Sequence, residues 1–317
     1  MIARTTRGTG GRWPLIWLAL LWQLTTPALA WNAAGHRLIA YLAWESMDPT
    51  TRSAVAGVLR RHPDFARWQA RAGDADPDLG AFLEASTWPD DIRHDKRFFS
   101  AGLEEPTPAM PGFPDMERRL NWHYVDRPPD SGQAAAASAG QLDRQLVALA
   151  HTLADPRSSV GERAYALPWL IHLVGDAHQP LHAASRYGSD GQGDSGGNAV
   201  EIVNPFQPHY PSTNLHRYWD ELPGPPWLRG RQLQSTARSL SALYQPPPVS
   251  GTPAQWIAES RELARTAAYP PAGDAVPTIS ATFHANSLEL ARRRVVEAGY
   301  RLAEELKRLF ADHGGGQ

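Results

Sequence analysis

From residue 160 to residue 182 the chain reads Val-Gly-Glu-Arg-Ala-Tyr-Ala-Leu-Pro-Trp-Leu-Ile-His-Leu-Val-Gly-Asp-Ala-His-Gln-Pro-Leu-His. Leu170, Ile171, Leu173 and Val174 crowd around His172, so a helix over 160–178 is expected to run through apolar surroundings. His172 and Asp176 are four residues apart and therefore share one face, a turn apart. An imidazole and a carboxylate buried together need a partner, and a cation is the natural one. Pro180 ends the helix and turns the chain back, which can aim His182 at the same region. Whatever this chain folds into must bring other elements to that helix face.

Those elements read as helices. Apolar spacing predicts helices over 33–46, 49–61, 138–154, 160–178, 213–220, 229–243, 253–268 and 277–311. Asp48-Pro49 is an N-cap followed by proline at the first helical position. Glycine- and proline-rich loops are expected at 104–114, 127–139, 184–197 and 244–253, with a short strand at 198–204. In the last helix Arg292, Arg293, Arg294, Glu297, Glu304 and Glu305 read as a solvated face. There is no βαβ alternation and no repeat, so the expected architecture is one mainly α domain with long loops.

The first thirty residues have a different character. Arg4, Arg7 and Arg12 precede an apolar run from Trp13 to Trp22, and Thr26-Pro-Ala-Leu-Ala30 ends in an A-x-A pattern. Residues 1–30 are expected to be a secretory signal and residues 31–317 the working domain, secreted or periplasmic. No other segment is long and apolar enough to anchor the chain, so no stable membrane association is expected. The sequence contains no cysteine, which leaves core packing and metal binding, not disulfides, to hold an exported fold. The formal net charge of −2 argues against a broad basic surface for nucleic acid, so any phosphate contact needs a local positive source. No protein partner is implied.

His216 and Asp220 repeat the four-residue spacing of His172 and Asp176. With His36, Asp90, His123 and His182 there are donors for more than one ion. The set has no thiolate, and mixed His/Asp ligation suits a catalytic zinc site better than a closed structural one. Cleavage after Ala30 would also leave Trp31 with a free α-amino group, whose pKa is low enough for a metal to displace its proton near neutral pH.

Taken in order, these residues resemble the S1/P1 nuclease family. The matching stretches are W-x-x-x-G-H (Trp31, His36), W-x-D-x-x-R (Trp88, Asp90, Arg93), W-H-Y-V-D (His123, Asp126), H-x-x-G-D-x-x-Q-P-L-H (His172 to His182), G-G-N (Gly196 to Asn198) and N-L-H-x-x-W-D (His216, Asp220). The resemblance implies a mainly α fold shared with zinc-dependent phospholipase C, and three zinc ions. One ion would take Asp90, His123, His172 and Asp176. A second would take His182, His216 and Asp220. A third would take the amine and carbonyl of Trp31, His36 and the other oxygen of Asp176. Arg93 and Asn198 would lie beside the phosphate, Tyr124 would stack on the base, and Asp126 would read its edge. His178 and Asp91 receive no role.

The implied activity is hydrolysis of single-stranded DNA and RNA to 5′-phosphate and 3′-hydroxyl products, with 3′-nucleotidase activity. Two alternatives use the same donors: a zinc phospholipase C, for which Trp227 and Trp256 would supply an apolar surface, and a non-catalytic zinc-binding protein.

Overall fold

A computed structural model of the chain describes residues 31–73, 76–129, 140–207, 209–271, 273 and 276–311. The expected signal segment, the start of the expected helix 138–154 and part of the expected loop 127–139 lie outside them. The fold is mainly α, as expected. Among the described residues there are eleven α-helices and one two-stranded antiparallel sheet.

α1 (Ala33–Ser46) starts on Asn32, whose side chain accepts from the N–H groups of Ala34 and Gly35. It is buried along its whole middle, from Ala34 to Trp44. α2 (Pro49–Leu59) has the Asp48 cap and N-terminal proline read from the sequence. α3 (Phe65–Ala72), α4 (Pro77–Ala85) and the short α5 (Trp88–Asp91) follow and were not anticipated. α6 (Leu142–Ala154) packs along α7 (Val160–Asp176), which begins with a reciprocal Ser159–Glu162 capping box and is buried from Ala164 to Asp176.

The expected strand is shorter than 198–204. β1 (Glu201–Val203) pairs with β2 (Ser212–Asn214), so the chain enters α8 (Leu215–Glu221) from a strand and not from a longer helix. α9 (Gly230–Leu243), α10 (Pro253–Thr266) and α11 (Ala281–Phe310) complete the shell. α11 lies along α1 with backbone close to side chain: a Cβ on Gly299 would stand 2.6 Å from Leu42 Cβ.

Two surface expectations are corrected. Arg294 is 3% exposed. It turns inward, because its guanidinium finds the His178 carbonyl, Glu259, Glu297 and Ser260 there. Trp256 is 1% exposed, and its Nε1 donates to the Ser250 carbonyl at 2.7 Å. Trp227 alone of the two is exposed, so no tryptophan-rich entrance of the kind a phospholipase reading needed is formed by this pair.

Candidate metal centre

The middle and end of α7 carry the centre. His172 and Asp176 project from one face, as their spacing requires, and both are fully buried. α1 lies against this face with His36, whose ring stacks on His172 at 3.8 Å between centroids. The approach depends on Gly175: a Cβ there would sit 2.9 Å from His36 Nδ1. Asp90 comes from α5 and His123 from the turn after a 3₁₀ segment at Leu120–Trp122.

Asp176 divides its oxygens. Oδ1 is 3.4 Å from His36 Nε2, while Oδ2 is 3.1 Å from His123 Nδ1 and 3.4 Å from His172 Nε2. Asp90 Oδ1 lies 3.8 Å from His172 Nε2 and 3.2 Å from Arg93 Nε. Among the described residues, three sets of donor atoms each fall within 4.8 Å of one another: His36, Asp90 and His172; His123, His172 and Asp176; and His182, His216 and Asp220. The first two share His172 and form one five-residue assembly. The third stands beside it, linked where His182 Nδ1 donates to the His123 carbonyl at 2.6 Å.

The donors fit a dication. His172 Nδ1 lies 2.8 Å from the Ser86 carbonyl, His182 Nδ1 2.6 Å from that of His123, and His216 Nδ1 2.7 Å from that of Gly196. A carbonyl oxygen accepts and cannot donate, so each Nδ1 carries the hydrogen and each Nε2 presents a lone pair. The Nε2 atoms of His182 and His216 then face each other at 3.1 Å. Two lone pairs at that distance repel unless positive charge stands between them. Outer carbonyls that fix the tautomer in this way are the usual surroundings of metal-binding histidines. Both ring nitrogens of His36, His123 Nε2, Asp176 Oδ1 and Asp220 Oδ2 are buried without a hydrogen bond.

Electrostatics agree. Burial drives the His36 imidazole well below its ordinary pKa, helped by His172 and His182, and does the same to His123, helped by Arg93. Burial pushes the carboxyls of Asp176 and Asp220 well above the carboxylate range, Asp90 adding repulsion to both. Neutral imidazoles are ready ligands, and a dication offsets the cost of ionising the two carboxyls.

The remaining sequence candidates sit as follows. Trp31 is fully buried, and its indole donates to the Gly175 carbonyl at 3.1 Å. Asn32 N–H donates to the Asp220 carbonyl at 3.1 Å, so this segment is tied to both halves of the centre. Arg93 is buried beside Asp90. Tyr124 and Asp126 are half-buried. Ser185 Oγ donates to Asp126 Oδ1 at 2.6 Å and accepts the Gly196 N–H at 2.7 Å. Burial raises the Asp126 carboxyl, and burial together with Asp126 raises the Tyr124 hydroxyl. Asn198 makes a local contact, its Nδ2 donating to the Ser195 carbonyl at 2.8 Å.

His178 faces away from the donor groups. Its Nδ1 donates to the Val174 carbonyl at 2.7 Å, and its Nε2 accepts from Arg301 at 3.0 Å. Asp91 pairs with Arg71, next to the buried Arg37–Glu84 pair at 2.9 Å. Sequence reading passed over the carbonyls of Ser86, His123 and Gly196, and also Gln179, whose side chain reaches Asp220.

A family model described as S1/P1 Nuclease matches residues 31–311. Among curated relatives, Endonuclease 3 of Arabidopsis thaliana is 25% identical over 315 residues, covering 94% of this chain and 95% of its own. Nuclease P1 of Penicillium citrinum is 24% identical over 299 residues, 86% of this chain and 95% of its own. Nuclease S1 of Aspergillus oryzae is 24% identical over 198 residues, 60% of this chain and 53% of its own. With a helical fold, buried His/Asp groups able to hold metal and a match that spans all the described residues, the chain belongs to the S1/P1 nuclease family, hydrolases of phosphodiester bonds in nucleic acid.

Proposed function

We propose that this protein is a zinc-dependent nuclease of single-stranded DNA and RNA that leaves 5′-phosphate and 3′-hydroxyl ends, and that it also removes phosphate from 3′-nucleotides. The observation that carries the reading is the pair of imidazole lone pairs of His182 and His216 held 3.1 Å apart beside a buried carboxyl. A nitrogen and oxygen donor set without thiolate favours zinc in a catalytic role. Asp90, His123, His172 and Asp176 would hold one ion, and His182, His216 and Asp220 a second. Trp31, His36 and Asp176 would hold a third. Bound there, such ions neutralise charge on a phosphodiester and acidify water at neutral pH.

The chain's own groups do the binding and orienting. The Arg93 guanidinium, ion-paired with Asp90 beside the centre, would offset charge on non-bridging phosphate oxygens. Asn198 adds an amide donor once it leaves the Ser195 carbonyl. The Tyr124 ring gives an unpaired base a face to stack on, and Asp126 accepts from the base edge. A base inside a duplex has no free face, so single strands are preferred. A net charge of −2 is compatible with polyanion binding if the positive potential is confined to the centre. Export removes residues 1–30 and frees the Trp31 amine, and the protein acts in the periplasm or outside the cell.

The test is a side-by-side assay of the zinc-loaded protein starting at Trp31. Single-stranded DNA, RNA and a 3′-mononucleotide should be hydrolysed, phosphatidylcholine should not, and chelator should abolish every activity. Activity that persists in excess chelator, or turnover of phosphatidylcholine alone, would overturn the proposal.

A further inference from the structure

Gln179 stands midway between Asp176 and His182, in the turn that joins the two halves of the centre. It is fully buried, and both ends of its amide are committed. Oε1 accepts the Leu181 N–H at 2.5 Å, which caps the 3₁₀ turn carrying His182. Because Oε1 is thereby the acceptor, the other end is Nε2, and it donates to Asp220 Oδ1 at 2.8 Å. The main chain of Asp220 is held as well, its carbonyl accepting from Asn32 N–H. One polar atom of Asp220 is left over. Oδ2 is buried without a hydrogen bond and lies 3.5 Å from His216 Nε2.

The geometry points to Gln179 as the positioning residue of the His182/His216/Asp220 group: by occupying Oδ1 it turns Oδ2 alone toward the two imidazoles. The inference rests on the reading of that group as a metal site. A carboxylate free to rotate can offer both oxygens to one ion and fill a position that substrate needs. Gln179 removes that freedom, and a neutral amide suits the task because it donates to the carboxylate while accepting from the backbone two residues on. The same residue fixes the His182 turn, so one side chain sets the separation of two of the three donors. Outer contacts of this kind typically change metal affinity about 10–100-fold when removed.

The test uses the metal-free protein starting at Trp31, in wild-type form and as Gln179→Met and Gln179→Asn. Met keeps the bulk without the amide, and Asn keeps the amide one methylene short. Each is titrated with Co²⁺, followed by its visible spectrum, and with Zn²⁺ against a chromophoric chelator. The expected result is one binding step weakened about 10–100-fold in Gln179→Met and less in Gln179→Asn, with the other steps within about twofold. The Co²⁺ bands of that step should also change intensity, reporting an altered coordination number. Steps that all move together, or none that moves, would overturn the role of Gln179. If Gln179→Met does not fold, Gln179→Asn decides by the same criterion. A wild-type protein that binds no Co²⁺ or Zn²⁺ would instead sink the metal reading itself.

Discussion

The centre turns on single atoms, and Gly175 is where this is most easily tested. A Cβ at that position would meet His36 Nδ1 at 2.9 Å, in a stack between α1 and α7 that has no slack. In an ordinary helix, alanine in place of glycine stabilises by about 1 kcal/mol. Here the same change should displace the His36 ring from Asp176. Gly175→Ala is expected to keep the helical fold and to lose about 10-fold or more in metal affinity and in nuclease activity. Both are read by chelator competition and by hydrolysis of single-stranded DNA. A variant with wild-type affinity and a raised melting temperature would mean that the close approach carries no function.

At the scale of elements, the junction of α2, α3 and α5 holds a pH response away from the metal donors. His62 follows α2, stacks on Trp68 of α3 at 4.3 Å and meets Trp88 of α5 edge-on at 4.9 Å. Its Nδ1 accepts the Asp64 N–H at 3.0 Å. Burial lowers its pKa from 6.5 to about 3, against the pull of Asp64. Below pH 6.5 the unfolded chain therefore takes up a proton that the folded chain refuses until about pH 3. Stability should fall as pH falls through that window, with a slope from this group of up to about 1.4 kcal/mol per pH unit. Denaturant melts of wild type and His62→Phe across the window isolate the effect, because the groups they share cancel. Equal slopes would show that His62 is not the group responsible.

The same junction marks the limit of sequence reading. α2 was legible from its Asp48-Pro49 cap, and α7 and α10 from their apolar spacing; the Ser159 and Thr252 caps that start the latter two emerge from the structure. α4 has an equivalent Asp76-Pro77 start, but α3 and α5 are short, and α3 buries only Trp68, too little for a periodic signal. The His/Asp donors were legible because the four-residue spacing on a helix is itself a geometry. Their outer partners were not. Three are backbone carbonyls, and any residue supplies a carbonyl. Arg294 read as solvated because charge in a helix pattern defaults to the surface, and its inward partner Glu259 lies on another helix.

For the whole molecule, the donors arrive from α1, α5, α7, α8 and two turns, so the centre is also a cross-link among elements distant in sequence. Among the described residues it is also where the segment just before α1 is tied to α7 and α8, through Trp31–Gly175 and Asn32–Asp220. Removing the ions should therefore lower the melting temperature, by about 2–4 °C for each kcal/mol of binding free energy lost. The loss should depend on pH in a definite direction. Without a cation, burial raises the pKa values of Asp176 and Asp220 well above their unfolded values. A raised carboxyl contributes stability that is present below its unfolded pKa and lost as pH rises through its folded one. The metal-free protein thus loses this contribution as pH climbs from the acid range towards neutrality, whereas bound dications hold both groups as carboxylates. Proton competition for the donors acts in the same sense, weakening metal binding at low pH. The gap in melting temperature between zinc-loaded and chelated protein should widen from pH 5 to pH 8, as differential scanning calorimetry of the two forms would record. A gap that is constant or that narrows would mean that these two carboxyls are not the groups the ions hold.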